Sequence, residues 1–190
     1  MAKVPLPISN DYCPQTLFLY GTYGADRSAD FGLFCWFSYA WDGGLRVMAC
    51  IGGEKLTKER IHASKVFSAN LVTEAILPLA DHFGNVEGRN PAKMAVDATI
   101  ERGRALDVPI LSASPLAFEL EVERFIPLDD GEVMLCRIHG VLGDESLAGA
   151  STPAEKLAAI APVSTTCAAY FGWDGRNLGA WGAPMKALGR

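Results

Sequence analysis

The feature that most constrains this chain is an alternating pattern in its second half. Four large apolar residues alternate with one alanine and three glutamates: Leu116, Phe118, Leu120 and Val122 against Ala117, Glu119, Glu121 and Glu123. A period of two is typical of an antiparallel strand with one buried face and one face in water. The turn formers Asp129-Asp130-Gly131 then precede a second long β-prone run over residues 132–142. The sequence therefore predicts a pair of long antiparallel strands.

Other stretches predict further strands and a few short helices. The β-prone runs are residues 16–21, 31–39, 45–51, 66–72 and 163–171. Helices are predicted from Thr57 to Lys65 with Thr57 as N-cap, from Thr73 to Phe83, from Pro91 towards Thr99, and from Thr152 to about Ile160. These proportions favour a mainly β fold, a β-barrel with inserted helices, over regularly alternating βαβ units.

Composition limits the classes of partner and compartment. A chain of 190 residues is most simply one domain, residues 1–190. The net charge of -5, without a basic stripe, disfavours a nucleic-acid partner. The apolar runs are far shorter than the ~18 residues of a membrane span, and the first residues lack an apolar signal core. The five cysteines are scattered, without the spacing of a zinc site or a disulfide framework. We expect a cytoplasmic protein that binds neither nucleic acid nor a membrane.

A candidate cofactor cradle lies in the first third of the chain. An aromatic strand segment, Cys35-Trp36-Phe37, is followed by the polar loop 53–58 at a predicted helix start. The helix start, the Thr57 hydroxyl and the charge of Lys55 and Lys58 are the components of a phosphate site. Each piece also has a structural interpretation, because an N-cap, a core strand and solvated lysines are common. No Gly-x-Gly-x-x-Gly motif follows a strand, so a dinucleotide-binding Rossmann site has no support.

An ordered set of short motifs decides between these interpretations. Beyond the strand at residues 30–36 and the helix start at 55–61, it comprises residues 67–71, 81–84, 88–94, 108–111 with Pro115, 139–141 and 170–172. In this order and over about residues 14–181, the chain resembles the flavin reductase-like, FMN-binding split-barrel family, in the branch that includes flavoredoxin. The resemblance implies a homodimer of Greek-key split barrels with FMN held near the subunit interface.

The resemblance also implies roles for individual residues. The flavin ring would lie against Trp36, within the segment formed with Cys35 and Phe37, and its phosphate would be held by Thr57 and Lys55. Lys93 would approach the cofactor from its helix, and His139 with Tyr170 and Phe171 would complete the pocket. Asp30 departs from the pattern, because the family often has asparagine there and a carboxylate repels a phosphate. Its alternative role is to pair with a lysine.

Two functions of different classes follow from the resemblance. One is an NAD(P)H:flavin oxidoreductase, in which hydride passes from a nicotinamide donor to flavin, kept as cofactor or released to a partner oxygenase. The other is an FMN electron carrier that passes electrons between redox protein partners. A third possibility, outside the family, is a flavin-free β-barrel that binds another small molecule.

Overall fold

A computed structural model describes residues 2–189. The strands in chain order are β1 Gln15–Thr16, β2 Phe18–Tyr23, β3 Ala29–Phe34, β4 Phe37–Trp41, β5 Leu45–Gly52, β6 Val66–Leu71, β7 Ile100–Arg102, β8 Pro109–Leu111, β9 Leu116–Leu128, β10 Gly131–Gly143, β11 Ser164–Thr165, β12 Ala169–Phe171 and β13 Asn177–Ala180. The helices are α1 Leu56–Ser64, α2 Leu77–Asn85, α3 Glu145–Ala148 and α4 Pro153–Ile160, with single 3-10 segments at Glu74–Ile76, Pro91–Lys93 and Pro184–Leu188. The mainly β class is confirmed.

The main sheet has seven antiparallel strands in the order β3-β2-β6-β9-β10-β5-β4. Its longest pair is the hairpin of β9 and β10, which turns at Asp129 and Asp130 as the sequence predicts. The two edge strands, β3 and β4, are consecutive in the chain and are joined only by Cys35 and Trp36. The sheet therefore curls until its edges meet at this link, which is the closure expected of a Greek-key split barrel. Fully buried Tyr20, Phe67 and Leu120 fill the interior.

A second layer covers the outside of β2 and β3. The strands β1, β11, β12 and β13 form a small sheet of their own. Helix α2 packs against β3 and contributes Leu77, Ala80 and Phe83 to a second apolar cluster with Phe31 and Tyr170. This layer places the β11–β12 turn and the C-terminal segment beside the link between the two sheet edges. No helix within residues 2–189 has the length and apolarity to cross a membrane.

Two predicted strands are each interrupted in the structure. The run 31–39 is not one strand: it bends at Cys35 and Trp36, where the Phe37 amide donates to the Cys35 carbonyl at 3.0 Å. The bend is needed because β3 pairs with β2 while β4 pairs with β5. The run 163–171 is likewise a hairpin, β11 and β12, whose turn contains Cys167 at φ 68.

Two helix predictions are also corrected. The helix expected from Pro91 towards Thr99 is a single 3-10 turn, Pro91–Lys93, although Asn90 does cap it by accepting from the Ala92 amide. The predicted helix 73–83 starts as a 3-10 turn and becomes α2 at Leu77, so that Pro78 falls in the first turn, where it leaves no hydrogen bond unmade.

The polar face of β9 is less exposed than its alternation predicts. Glu119 is fully buried, because the segment between β7 and β8 covers it. Its Oε1 accepts from the backbone amides of Ala105 and Leu106, both at 2.9 Å. These two hydrogen bonds to the buried carboxylate replace the contact with water that the alternation predicts.

Candidate functional site

An open cleft of about 920 Å³ lies where the two edges of the main sheet meet. Its walls come from the end of β3, the start of α1, the segment 83–89, and the β11–β12 turn with Trp181. This volume is in the range of small-molecule and cofactor sites, ~300–1,000 Å³.

Trp36 forms an aromatic wall of the cleft. It is 49% exposed, although the residue before it, Cys35, is only 8% exposed. The bend between β3 and β4 explains this, because it turns the indole out of the barrel interior. The indole lies over Gly52, where an added Cβ would be 3.6 Å from the ring. A planar apolar surface is therefore available to a ligand.

The start of α1 forms the polar end of the cleft. The helix begins at Leu56 with Lys55 as N-cap, in an extended conformation and without a capping side chain. The prediction of Thr57 as N-cap is wrong: the N-cap is two residues earlier, at Lys55, and Thr57 in the first turn points inward and is 2% exposed. First-turn amides of a helix have no intrahelical acceptor and attract an anion. Lys55, Leu56 and Thr57 all line the cleft there.

A buried ion pair lies behind this polar end. The Lys93 ammonium is 2.9 Å from Asp30 Oδ1, and the two side chains are 4% and 2% exposed. The Thr57 hydroxyl donates to Asp30 Oδ2 at 3.1 Å. Asp30 thus pairs with a lysine, which is the alternative role that the sequence analysis gives it. The same contacts commit the Thr57 hydroxyl proton to Asp30 and offset the charge of Lys93.

Lys55 differs from the other cations near the cleft in its surroundings. Lys58 lies 2.8 Å from Glu54, and Arg89 pairs with Glu59. Lys55 is exposed and forms no ion pair within residues 2–189. Its ammonium is therefore the cation at this end of the cleft that an anionic ligand could bind without breaking an existing pair.

The structure brings six of the ten predicted site residues together. Cys35, Trp36, Lys55, Thr57 and Lys93 line the cleft, and Asp30 contacts two of them from behind. Phe37 instead faces the barrel core and stacks on Phe18 with 4.2 Å between ring centroids. His139 lies on β10, outside the cleft of this chain, with Nε2 2.7 Å from Glu121.

The remaining two predicted residues, Tyr170 and Phe171, lie on β12 behind the cleft wall. Tyr170 is fully buried and donates to Asp81 Oδ1 at 2.7 Å, and its ring stacks on Trp181 at 6.2 Å. Burial is the main cause, and the hydrogen bond to Asp81 a second one, of the rise in the pKa of Tyr170 well above its ordinary value. Phe171 is half-buried. Tyr170 thus supports a cleft residue rather than lining the cleft itself.

Trp181 and the segment 84–89 are cleft residues that sequence reasoning missed. Asp81 explains the position of Trp181, because its carboxylate also accepts from the amides of Gly182 and Met185, at 2.9 and 3.0 Å. The C-terminal segment is held against α2 by these bonds. The sequence contains both parts, an aspartate-containing motif at residues 81–84 and a tryptophan in a glycine-rich tail. No local sequence pattern indicates that the two are in contact.

A profile of the flavin reductase like domain family matches residues 11–160. The chain belongs to this family. The match covers the barrel, α1, α2 and the cleft residues of the first half, while Tyr170, Phe171 and Trp181 lie beyond it.

Solved structures show the same fold. Flavoredoxin of Desulfovibrio vulgaris (Miyazaki F) aligns with a TM-score of 0.78 and 22% identity over 90% of this chain and 93% of that one. A split barrel domain protein from Shewanella frigidimarina aligns at 0.76 and 16% identity, over 86% and 84%. An FMN-binding protein from Thermus thermophilus, with bound 1-cyclohex-2-enone, aligns at 0.72 and 21% identity, over 90% and 93%. A search of curated proteins finds no match.

The cleft fits the two ends of a flavin nucleotide. The half-exposed indole of Trp36 suits a planar ring. The open amides of α1 suit a phosphate, as does Lys55, which forms no ion pair within residues 2–189. The Thr57 hydroxyl is already used by Asp30. The contribution of Thr57 to an anion would therefore come from its backbone amide.

Proposed function

We propose that this protein binds FMN in the cleft and acts as an NAD(P)H:flavin oxidoreductase. The observation that carries the proposal is the pairing of an exposed indole, Trp36, with an uncompensated cation and open helix amides in a single cleft. Membership of the flavin reductase like domain family supports the same conclusion.

The proposal assigns each end of the cleft a separate task. When bound, FMN supplies the hydride-accepting chemistry. Lys55 and the first-turn amides of α1 would bind its phosphate, and Trp36 would orient its ring. Cys35 would form part of the wall beside Trp36, and the Asp30–Lys93 pair would hold Thr57 and the 3-10 turn Pro91–Lys93 in place.

The buried ion pair changes the expected electrostatics of the reaction. Lys93 and His139 are the cations that the family resemblance places near the flavin, where they could stabilise negative charge on the reduced ring. In the structure the Lys93 ammonium is paired with Asp30, and His139 contacts Glu121 outside this cleft. The proposed role of Lys93 is therefore to position the cleft floor, with its net charge offset by Asp30.

A spectroscopic experiment tests the function. The purified protein, loaded with FMN and freed of excess, is mixed anaerobically with NADH or NADPH while the flavin absorption band is followed. The proposal expects rapid bleaching with at least one nucleotide. Failure of the protein to bind FMN would refute the cofactor assignment, and FMN binding without bleaching by either nucleotide would refute the reductase.

An FMN electron carrier is the second candidate, favoured by the likeness to flavoredoxin over 90% of the chain. Such a carrier would exchange electrons with redox proteins and would need no nicotinamide site. The bleaching experiment separates the two, because a carrier is expected to be reduced by dithionite or a protein donor but not by NAD(P)H.

A homodimer is part of the proposal. Five large apolar side chains on β4, β5 and β10 are between 42% and 79% exposed: Tyr39, Trp41, Leu45, Met48 and Val141. Tyr39, Leu45 and Val141 line a second, apolar groove of about 620 Å³. Since monomers rarely expose grouped apolar side chains, a second copy of the chain is the proposed cover.

A further inference from the structure

Two cysteines from distant parts of the chain meet in the wall of the cleft. Cys35 follows β3, and Cys167 lies in the turn between β11 and β12. Their sulfur atoms are 3.5 Å apart, both residues line the cleft, and both are free thiols. A disulfide needs a sulfur–sulfur distance of about 2.05 Å, so a small movement of the two side chains would join them.

The backbone around Cys167 holds its thiol in this position. Cys167 has φ 68, a left-handed conformation that a non-glycine residue adopts only when its surroundings impose it. Its amide donates to Thr165 Oγ1 at 3.0 Å, and the Thr165 hydroxyl donates to the Ala169 carbonyl at 2.8 Å. Trp181 secures the same turn through its amide, which donates to the Ala168 carbonyl at 3.0 Å.

We propose that Cys35 and Cys167 form a dithiol site that a small-molecule disulfide oxidises reversibly to an intramolecular disulfide. The two thiols differ in the way that such exchange requires. Cys167 is exposed, whereas Cys35 is buried. Burial, together with the contact with Cys167, raises the pKa of Cys35, which favours the protonated thiol at this position. Cys167 is therefore the attacking thiol and Cys35 the resolving thiol.

The exchange balances in two steps. The Cys167 thiolate attacks one sulfur of the small disulfide, forms a mixed disulfide and releases one small thiol. Cys35 then loses its proton to solvent and attacks Cys167 Sγ, which expels the second small thiol. The protein loses two hydrogens and two electrons, and the small disulfide becomes two thiols. In a reducing compartment such pairs are transient and act in catalysis or redox sensing, which agrees with the accessible position of Cys167.

Thiol counting in glutathione buffers tests the site. The purified full chain, without added flavin, is equilibrated anaerobically at increasing ratios of oxidised to reduced glutathione, quenched in acid and alkylated. Intact mass and peptide mapping should show a loss of two of the five free thiols and a Cys35–Cys167 linkage, both reversed by dithiothreitol. Five free thiols at every ratio would overturn the proposal. So would a linkage that involves Cys50, the half-buried free cysteine on β5.

Three variants sharpen the result. Cys167→Ser, at an exposed position, should abolish the linkage and leave Cys35 free. Cys35→Ser should accumulate one glutathione on Cys167, since the resolving thiol is missing. A Cys35→Ser protein without this glutathione adduct would overturn the assigned order of attack. Cys50→Ser is the matched control and should form the linkage as the wild type does.

The dithiol proposal does not depend on the proposed function, so each of the two proposals can be refuted without refuting the other. A protein that forms the linkage but binds no FMN would refute the cofactor assignment and leave the dithiol site intact. A protein that binds FMN and keeps five free thiols would do the reverse.

Discussion

The Lys93 ammonium lies 2.9 Å from Asp30 Oδ1, and both side chains are almost completely excluded from water. A buried pair of this kind is weak support for stability by itself, because desolvation offsets the attraction between its charges. Removing only one partner of the pair is strongly destabilising, since it leaves the other charge buried and uncompensated. The pair joins β3 to the 3-10 turn that forms part of the cleft floor, so it links the architecture to the candidate site.

We therefore predict that Lys93→Met lowers the free energy of unfolding by about 3–5 kcal/mol, measured by urea denaturation. The double variant Asp30→Asn with Lys93→Met should recover much of that loss, because neither charge then remains in the interior. Lys55→Met, at an exposed position, is the control and should stay within about 0.5 kcal/mol of wild type. A similarly small effect of Lys93→Met would mean that the pair is not formed in solution.

Lys55 gives a prediction about the phosphate end of the cleft. Lys55→Ala should weaken FMN binding by up to about tenfold, because one exposed charge contributes on the order of 1 kcal/mol to an anion. The loss should shrink as salt is added, since exposed charges are screened. Fluorescence titration of the apoprotein with FMN at several salt concentrations measures both effects.

Lys186→Ala is the matched control for this titration. Lys186 is exposed on the 3-10 segment Pro184–Leu188 and lines neither the cleft nor the apolar groove. Equal losses of affinity in the two variants would place the effect in overall charge and not in a phosphate contact.

Trp36 gives a prediction about the ring end. Trp36→Leu should weaken FMN binding by about tenfold, because an aromatic pair contributes ~0.5–1.5 kcal/mol beyond the area that it buries. The stability of the Trp36→Leu variant should change little, since the indole is already half-exposed. Trp173→Leu is the control: it removes an indole that is 54% exposed after β12 and lines neither the cleft nor the apolar groove. If Trp173→Leu alone weakened binding, the flavin would have to lie elsewhere.

The surface proposed for the second copy can be tested by charge. Leu45→Glu places a carboxylate on the rim of the apolar groove, and we expect it to convert a dimer into a monomer in light scattering after gel filtration. Leu128→Glu, at the similarly exposed tip of the β9–β10 hairpin, is the control and should remain dimeric. A wild-type monomer would refute the homodimer directly.

The sequence predicted elements whose pattern is local and missed those that distant segments impose. The alternation over residues 116–123 and the turn at residues 129–131 led to the correct hairpin. The bend at Cys35 and Trp36 leaves no trace, because the residues on both sides of it are equally apolar. The N-cap of α1 is Lys55, two residues before the predicted Thr57. Thr57 has a capping side chain and Lys55 does not, but tertiary contact turns the Thr57 hydroxyl to Asp30.

The candidate site shows the same division. Single residues such as Trp36 and Lys55 could be chosen from the order of motifs, and the structure places them in one cleft. The partners that explain the cleft are far apart in the chain: Lys93 for Asp30, Cys167 for Cys35, and Gly182 for Asp81. No local pattern predicts such pairs, and only the lysine partner of Asp30 was anticipated by the chemistry of a carboxylate.

The hydrogen bond from Tyr170 to Asp81 gives a prediction about pH. The pKa of Tyr170 is raised in the folded protein by burial and by Asp81, whereas the unfolded chain keeps an ordinary value of about 10. Above pH 10 the unfolded state therefore binds fewer protons than the folded state, and stability falls as pH rises. This tyrosine contributes a slope of about 1.4 kcal/mol per pH unit. Below pH 10 its contribution is fully present.

Tyr170→Phe should remove that slope and lower stability at neutral pH by about 1–3 kcal/mol, because Asp81 loses a donor in the interior. Urea denaturation between pH 7 and 11 measures both quantities. Tyr12→Phe is the matched control, since its exposed hydroxyl donates to the Pro7 carbonyl and to no carboxylate within residues 2–189. A wild-type slope retained in Tyr170→Phe would assign the alkaline transition to other groups, such as Tyr20, whose pKa is also raised by burial.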